Sequence, residues 1–219
     1  MIKKRAWFFS LSLVYIIITS LIAIINAKGT DILWMVERRS PALNQSFLFI
    51  TKLGEEWIFI IMILLQSLYI SYRQALSYGF TAFVSLIIAY AAKAIFQMPR
   101  PLLYFRDLNR IEEIGMIPGY EFHSSFTSFP SGHTIAAFSF FVLVALFNRQ
   151  IFFQILAFIC AGAVGISRIY LGQHFSGDVA AGAFLGVIIS ISVYYITHVV
   201  MSKYNQLDQS LIDLKSLKN

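Results

Sequence analysis

Six runs of apolar residues, separated by polar segments, organise the chain. They cover residues 6–27, 55–71, 75–96, 131–147, 151–170 and 177–201. The polar residues 72–74 between the second and third runs are predicted to form a tight turn. A helix needs about 20 apolar residues to cross the hydrocarbon core of a bilayer, and each run approaches that length. The pattern therefore predicts an all-α fold: one membrane-embedded domain built as a six-transmembrane-helix bundle, with a polar C-terminal tail at residues 202–219.

The segment between the first two runs is mixed in character. Apolar side chains recur at helical spacing over residues 32–36, and Glu37, Arg38 and Arg39 end the pattern before Pro41. Amphipathic helices of this kind lie along a membrane surface. We therefore expect residues 28–54 to form one or two surface helices, with partner binding as the alternative role.

Basic residues predict how the chain is oriented. Lys3, Lys4 and Arg5 precede the first run, which is too long for a signal peptide and lacks a good cleavage site, so we expect an uncleaved anchor. Six helices place both termini on one side of the membrane. Outside the candidate site, eight Lys and Arg residues fall on that side and six on the other. This bias favours cytoplasmic termini.

Composition supports lipid as the solvent. Hydrophobic residues make up 58% of the chain and charged residues 13%, with a mean hydropathy of +0.72. A soluble protein needs more charged surface than this. The net charge of +6 comes from scattered residues that form no continuous stripe, which argues against a nucleic-acid partner. Anionic headgroups or a phosphorylated substrate explain the charge better.

Cysteine and histidine usage limits the chemistry. The single cysteine, Cys160, excludes an intrachain disulfide. The four histidines are dispersed and lack the spacing of metal ligands, so we expect no metal site. His123 lies in the longest polar connection and His198 in the last run; we assign both to structural roles.

Polar motifs gather at the ends of the apolar runs. Lys93 ends the third run, Pro130-Ser131-Gly132-His133 opens the fourth, and Ser167 to Asp178 joins the fifth to the sixth. A six-helix topology puts all three motifs on the membrane side opposite the termini. Ionisable groups at membrane depth cost roughly 2.5–3.5 kcal/mol each at the bilayer centre and therefore usually mark a functional site.

His174 and Asp178 have the spacing of a catalytic pair. If the segment after Gly172 is helical, the two side chains lie at i and i+4 on one face, within reach of each other. A carboxylate on one imidazole nitrogen fixes the tautomer and leaves the other nitrogen as a nucleophile or base. A buried ion pair that joins two helices is the alternative.

Three cations can share one anion. Lys93 and Arg100 lie almost two helical turns apart and so align on one helix face, and the prolines on either side of Arg100 end that helix. Together with Arg168 they suit a phosphate monoester, which carries about −1.5 to −2 at neutral pH. Alone, Lys93 could simply extend to the interface and Arg100 could simply cap.

The tetrapeptide that opens the fourth run predicts an oxyanion site at a helix start. Ser131 suits the N-cap position, and Gly132 lets an oxyanion approach free backbone amides. His133 would then lie over that anion and donate a proton to a leaving oxygen. In the last run, Gly182, Gly186 and Ser190 recur every four residues, which predicts close packing against another helix.

The three motifs together resemble the signature of the type-2 phosphatidic acid phosphatase superfamily, which includes integral-membrane lipid phosphatases and soluble vanadium haloperoxidases. The resemblance covers residues 75–200 and is complete in each motif. It implies that His174 attacks phosphorus and becomes a phosphohistidine, that Asp178 orients it and that His133 protonates the leaving group. It further implies a phosphate held without metal or cofactor by these residues: Lys93, Arg100, Ser131, Gly132 and Arg168.

We therefore predict a lipid phosphatase of a bacterial inner membrane, with its active site on the periplasmic side. The resemblance implies phosphatidic acid, phosphatidylglycerol phosphate, undecaprenyl pyrophosphate or a lipid A phosphate as the substrate. Two alternatives are a catalytically silent protein that binds lipid phosphates and a transporter. The complete histidine and aspartate set argues against the first, and the clustering of cations at one face argues against the second. Six spans argue against a haloperoxidase.

Overall fold

A computed structural model describes residues 6–216, and every regular element in this range is helical. The α-helices are α1 (Ala6–Ile25), α2 (Thr30–Val36), α3 (Pro41–Ile50), α4 (Trp57–Tyr69), α5 (Tyr72–Phe96), α6 (Pro101–Asp107), α7 (Gly132–Phe147), α8 (Ile151–Tyr170), α9 (Ser176–His198) and α10 (Leu211–Ser216). Short 3-10 helices lie at Thr51–Gly54, Ile111–Ile114, Val200–Lys203 and Asn205–Asp208. The predicted all-α class is confirmed, and the basic residues Lys3, Lys4 and Arg5 lie outside the described range.

Four helical segments are long and apolar enough to cross a membrane. They contain α1, α5, α8 and α9. The two other apolar helices are shorter, with 13 residues in α4 and 16 in α7. Both fall below the length of about 20 residues that a straight span needs. The structure therefore supports an apolar bundle with four candidate spans, and the arrangement with six spans stays a prediction.

The outward faces of these helices are strongly apolar. Ile24, Phe83 and Phe152 expose 78%, 62% and 67% of their surface, and similar side chains continue along α1, α5 and α8. Exposed apolar surface of this extent is unfavourable in water and matches the hydrocarbon of a bilayer. The protein is therefore an integral membrane protein.

Helix α7 forms the centre of the bundle. It is apolar around nearly its whole circumference, as expected for a buried helix, and packs against α5, α8 and α9. Aromatic rings fill the space around it: Phe138 lies 5.3 Å from Tyr15, and Phe140 meets Phe59 edge to face at 5.3 Å. This packing fixes the N-terminus of α7, where the second motif begins.

Two glycines bring α9 against α7 at backbone distance. A Cβ atom added to Gly182 would lie 2.8 Å from the Ser131 carbonyl oxygen, and one added to Gly186 would lie 2.7 Å from the Ile135 carbonyl oxygen. One turn further, Ser190 Oγ donates to the carbonyl of α7 residue 139 at 2.7 Å. The close packing predicted from the small-residue spacing is confirmed.

The polar residues 72–74, predicted as a turn between the second and third runs, instead form the first turn of α5. Ser71 caps this helix by accepting a hydrogen bond from the amide three residues later. Arg73 is buried and donates to the Thr197 carbonyl at 2.6 Å and to Asp208 at 2.5 Å. The sequence indicated a turn because these residues are polar, but their partners lie far away in the chain.

Helices α2 and α3 cover the end of α8 where the third motif begins. Ile32 of α2 is fully buried, and Arg39 donates to the carbonyl oxygens of Tyr170 and Ile114, each at 2.7 Å. Burial lowers the pKa of Arg39. The two short helices agree with the expected number in residues 28–54, and their position on a membrane surface stays a prediction.

The polar connection over residues 97–130 is partly ordered as helix α6 and one 3-10 turn. Backbone hydrogen bonds join its two ends: the Arg100 amide donates to the Ser125 carbonyl at 2.9 Å, and the Ser128 amide donates to the Met98 carbonyl at 3.0 Å. The connection therefore folds back beside α7 and contributes to the site described next.

Candidate active site

The three polar motifs meet around one cavity of about 230 Å³. Its polar lining includes six of the predicted site residues: Lys93, Arg100, Gly132, His133, Arg168 and His174. The two others, Ser131 and Asp178, are buried beside it, where the Ser131 amide donates to the Asp178 carbonyl at 3.1 Å. All eight predicted residues are thus brought together.

A tight turn at the end of α8 presents His174 to the cavity. The amides of Gln173 and His174 both donate to the Arg168 carbonyl, at 2.9 and 3.2 Å, so the chain folds back over the helix end. Gly172 supplies the left-handed conformation that this turn requires, with φ at 63°. The turn therefore holds His174, the candidate nucleophile, next to the last turn of α8, which contains Arg168.

His174 and Asp178 approach each other without a shared helix face. Helix α9 begins at Ser176, so His174 precedes the helix, contrary to the helical spacing proposed for the pair. His174 Nδ1 lies 3.6 Å from Asp178 Oδ2, which exceeds hydrogen-bond distance. Asp178 Oδ2 instead accepts from the Phe175 amide at 3.0 Å and from Ser128 Oγ at 2.5 Å. Asp178 therefore caps α9 and faces the imidazole at the same time.

Burial keeps the His174 imidazole neutral. It lowers the pKa of His174 to about 4, an effect that Asp178 opposes and that the charge of Arg100 adds to. A neutral imidazole at physiological pH has a free lone pair, which a nucleophile needs.

The N-terminus of α7 forms a second part of the cavity wall. Ser131 caps the helix: its Oγ accepts from the Thr134 hydroxyl at 2.8 Å and from the Thr134 amide at 3.4 Å. Gly132 leaves room in front of the first turn, and a Cβ atom there would lie 3.4 Å from Lys93 Nζ. Free amides beside an ammonium group form a site that suits an anion.

Two guanidinium groups are buried next to this site with neutral partners. Arg100 Nη1 donates to Gln173 Oε1 at 2.7 Å, and Arg168 Nη1 donates to Thr51 Oγ1 at 2.7 Å. The Nε of Arg168 has no hydrogen-bond partner, and neither arginine forms a salt bridge with any residue in the range 6–216. Buried charges are costly without a counter-ion, so this arrangement favours binding of an anion.

Sequence reasoning missed several residues around the cavity. Ser128, Gln173 and Thr51 are buried and bind predicted site residues, but a serine, a glutamine and a threonine give no signal without the fold. His123 lines the cavity, and its assignment to a structural role stays a prediction. His198 does have a packing role: its ring stacks on Tyr194 at 4.2 Å.

A comparison with known protein families shows which family the chain belongs to. The family model described as PAP2 superfamily matches residues 74–202, more than half of the chain. The chain belongs to the PAP2 superfamily. All eight predicted site residues of this PAP2 chain lie within the matched range.

Named relatives of the PAP2 chain differ in what their names say. A Bacillus licheniformis protein named "Bacitracin transport permease protein BcrC" is 39% identical over 105 residues, covering 44% of this chain and 50% of that protein. A Sulfolobus acidocaldarius protein named "Undecaprenyl-diphosphatase" is 26% identical over 197 residues, covering 85% of this chain and 89% of that protein. The PAP2 chain spans about half the length of the first curated relatives that it matches.

A solved structure shares the fold of the PAP2 chain. The crystal structure of Aquifex aeolicus LpxE superposes with a TM-score of 0.61 at 22% identity, covering 74% of this chain and 91% of that chain. At this identity the likeness concerns the fold alone. It agrees with the helical membrane bundle described above.

Proposed function

We propose that this PAP2 chain is an integral-membrane lipid phosphatase that hydrolyses a phosphate monoester or diphosphate of a membrane lipid through a phosphohistidine. One observation carries the proposal: the imidazole of His174 lines the same cavity as two buried guanidinium groups that form no salt bridge within residues 6–216. The name of the Sulfolobus acidocaldarius relative, an undecaprenyl-diphosphatase, supports it.

The first step transfers the phosphoryl group to the protein. The non-bridging oxygens bind Arg100, Arg168 and Lys93, together with the free amides at Gly132 and the cap at Ser131. His174 Nε2 attacks phosphorus, and the bond from phosphorus to the leaving oxygen breaks. His133 donates a proton to that oxygen, so the lipid leaves as an alcohol, or as a lipid monophosphate when the substrate is a diphosphate.

The second step regenerates the imidazole. His133, now unprotonated, accepts a proton from water as the water oxygen attacks phosphorus, and inorganic phosphate leaves His174. In both steps Asp178 accepts a hydrogen bond from His174 Nδ1, which requires the present 3.6 Å separation to shorten when substrate binds. Catalytic hydrogen bonds often tighten in this way.

The apolar part of the cavity suits the lipid chain. Beyond the polar end, the lining continues along α5 with Leu86, Ala89 and Tyr90 and reaches Phe59 of α4. A site that is polar at one end and apolar at the other fits a phosphate attached to a hydrocarbon tail. Phosphatidic acid, phosphatidylglycerol phosphate, undecaprenyl pyrophosphate and lipid A phosphates all have this form.

The proposed reaction needs no metal ion. Within residues 6–216, no group of three or more His, Cys, Asp or Glu side chains has the arrangement of a metal site. Cations of the protein take the role of neutralising the phosphate. We further propose a bacterial inner-membrane location with cytoplasmic termini and a periplasmic active site, which the distribution of Lys and Arg supports.

Phosphate release from the four lipids by purified protein in detergent with EDTA tests the proposal. We expect release from at least one lipid, resistance to EDTA and inhibition by vanadate, which mimics five-coordinate phosphorus. Activity that disappears in EDTA and returns with Mg²⁺ would contradict the metal-free reaction. No release from any of the four would contradict the phosphatase.

The name of the Bacillus licheniformis relative favours a transporter as the second candidate. Flux of a phosphorylated lipid across proteoliposomes, compared between the wild type and His174→Ala, separates the two functions. A phosphatase loses phosphate release in the variant. A transporter retains its flux, because it forms no bond to this imidazole.

A further inference from the structure

One wall of the cavity comes from a segment that none of the predicted motifs includes. Residues 119–127, named here the outer loop, follow a 3-10 turn and lead back to α7. His123 of this loop lines the cavity together with Arg100, Arg168 and His174. Its side chain remains exposed, so it presents an imidazole that the proposed reaction does not use.

Contacts on both sides of His123 hold the outer loop in place. Gln173 accepts from Arg100 Nη1 at 2.7 Å and donates to the Glu121 carbonyl at 3.2 Å. On the other side, the Ser125 carbonyl accepts from the Arg100 amide at 2.9 Å. The loop is therefore fastened to Arg100, directly and through Gln173.

Phe122 packs the outer loop against the turn at Gly172. Its ring is 92% buried, and a Cβ atom on Gly172 would lie 3.0 Å from it, so the ring covers the turn that presents the nucleophile. With its neighbour buried in this way, His123 is held at the cavity wall.

The charges around the cavity favour a second anionic group. Among residues 6–216, Lys93, Arg100, Arg168 and the carboxylate of Glu56 line the cavity, and the Asp178 carboxylate lies beside it, so three cations meet two carboxylates. Burial and the charge of Arg100 lower the pKa of His123, so its imidazole is neutral at neutral pH and offers one N–H donor. Arg100 carries five N–H donors in a fork, of which Thr127 Oγ1 and Gln173 Oε1 each accept one, so three are left for phosphate oxygens.

We propose that His123 and Arg100 form a second phosphate position, which binds the lipid-attached phosphate of a lipid diphosphate while His174 attacks the terminal phosphate. This inference rests on the proposed phosphatase function and names its substrate class. The bond that breaks joins the terminal phosphorus to the bridging oxygen. That oxygen leaves on the lipid monophosphate, and water later releases the terminal group from His174 as inorganic phosphate.

Farnesyl diphosphate and farnesyl phosphate test the proposal, because they carry the same tail and differ by one phosphate. His123→Ala should lower kcat/KM on the diphosphate about tenfold, the usual effect of losing a hydrogen bond to a charged group, and leave the monophosphate unchanged. Ser124→Ala, which changes the next exposed residue of the same loop, is the matched control and should affect neither substrate.

Each other outcome has a defined meaning. A loss that is equal on both substrates, or no loss on the diphosphate, would overturn the second phosphate position. So would a wild-type protein that hydrolyses only the monophosphate, although the phosphatase would then stand. A wild-type protein that hydrolyses neither substrate, nor any of the four lipids above, would overturn the phosphatase itself.

Discussion

Ser128 Oγ donates a 2.5 Å hydrogen bond to Asp178 Oδ2, the same carboxylate oxygen that faces His174 Nδ1 at 3.6 Å. Ser128 is fully buried, and its amide is bonded to the Met98 carbonyl. The segment that leads into α7 therefore fixes the carboxylate at the start of α9. Such supporting partners commonly orient catalytic groups.

Replacing Ser128 with alanine should reduce kcat without changing KM. The carboxylate would lose one of the two donors that hold it, and His174 would be less well oriented for attack. We expect about a tenfold lower kcat, the scale of one hydrogen bond to a charged group. Ser124→Ala, which removes an exposed hydroxyl four residues earlier in the chain, is the control. A rise in KM as large as the fall in kcat, or a lower melting midpoint that accounts for the lost activity, would contradict a positioning role.

The His174→Ala and His133→Ala variants should lose activity in different ways. His174→Ala removes the proposed nucleophile, so acid-labile ³²P labelling of the protein and turnover should both disappear for every substrate. His133→Ala removes only a proton donor, an effect of about 10²–10⁴-fold. That variant should keep relatively more activity on p-nitrophenyl phosphate, whose leaving group needs the proton less. Labelling that persists in His174→Ala and disappears in His133→Ala would exchange the two roles.

The acid limb of kcat/KM should shift in the Asp178→Asn variant. Burial keeps the pKa of His174 at about 4, below its ordinary value, so the reactive neutral form is lost only as the pH falls through that range. Asp178 raises this pKa, and removing its charge should therefore move the acid limb to lower pH while turnover decreases. The pH profiles of kcat/KM should be measured for both proteins on the same substrate, because ionisation of the substrate then contributes equally to both. A shift to higher pH would contradict the assignment.

Helix contact between α7 and α9 should be sensitive to one added methyl group. Gly186→Ala would place a Cβ atom 2.7 Å from the Ile135 carbonyl oxygen, whereas Gly79→Ala meets its nearest neighbour at 3.9 Å. We expect the first substitution to destabilise the protein by about 1–3 kcal/mol and the second to have little effect. Melting midpoints of both variants in detergent measure the difference. Equal midpoints would show that the two backbones separate easily.

The sequence indicated the elements whose signals are local. Apolar runs predicted the helices, and the helix-start chemistry of Ser131 and Gly132 predicted the N-terminus of α7 within one residue. Sequence patterns did not predict hydrogen bonds between residues far apart in the chain. Arg73 looked like a turn residue because its acceptors, Thr197 and Asp208, lie more than 100 positions away. For the same reason, the sequence did not reveal all the residues that form the cavity wall.

Ser128 and Gln173 illustrate that limit within the site. Neither residue type signals chemistry on its own, and both act only through a carboxylate or guanidinium supplied by another element. The position of His123 at the cavity could not be read from the sequence, because its neighbours in space come from α5, α7 and α8. Motif spacing therefore identified the candidate reacting groups, while the residues that contact them required coordinates.

The contact of Gly182 and Gly186 with α7 bears on which residues around the cavity can be substituted. His133 on α7 and Asp178 on α9 lie on helices that touch through main-chain atoms, and the Ser131 amide joins the two helices again at the Asp178 carbonyl. His174 lies in the turn just before α9. The outer loop is a separate piece of chain that rests on this frame through Arg100 and Gln173. The proposed nucleophile and acid therefore lie outside the loop that carries His123 of the proposed second phosphate position. We therefore expect headgroup preference to change through exposed loop positions such as His123, whereas substitution of Phe122 would disturb the turn that presents His174.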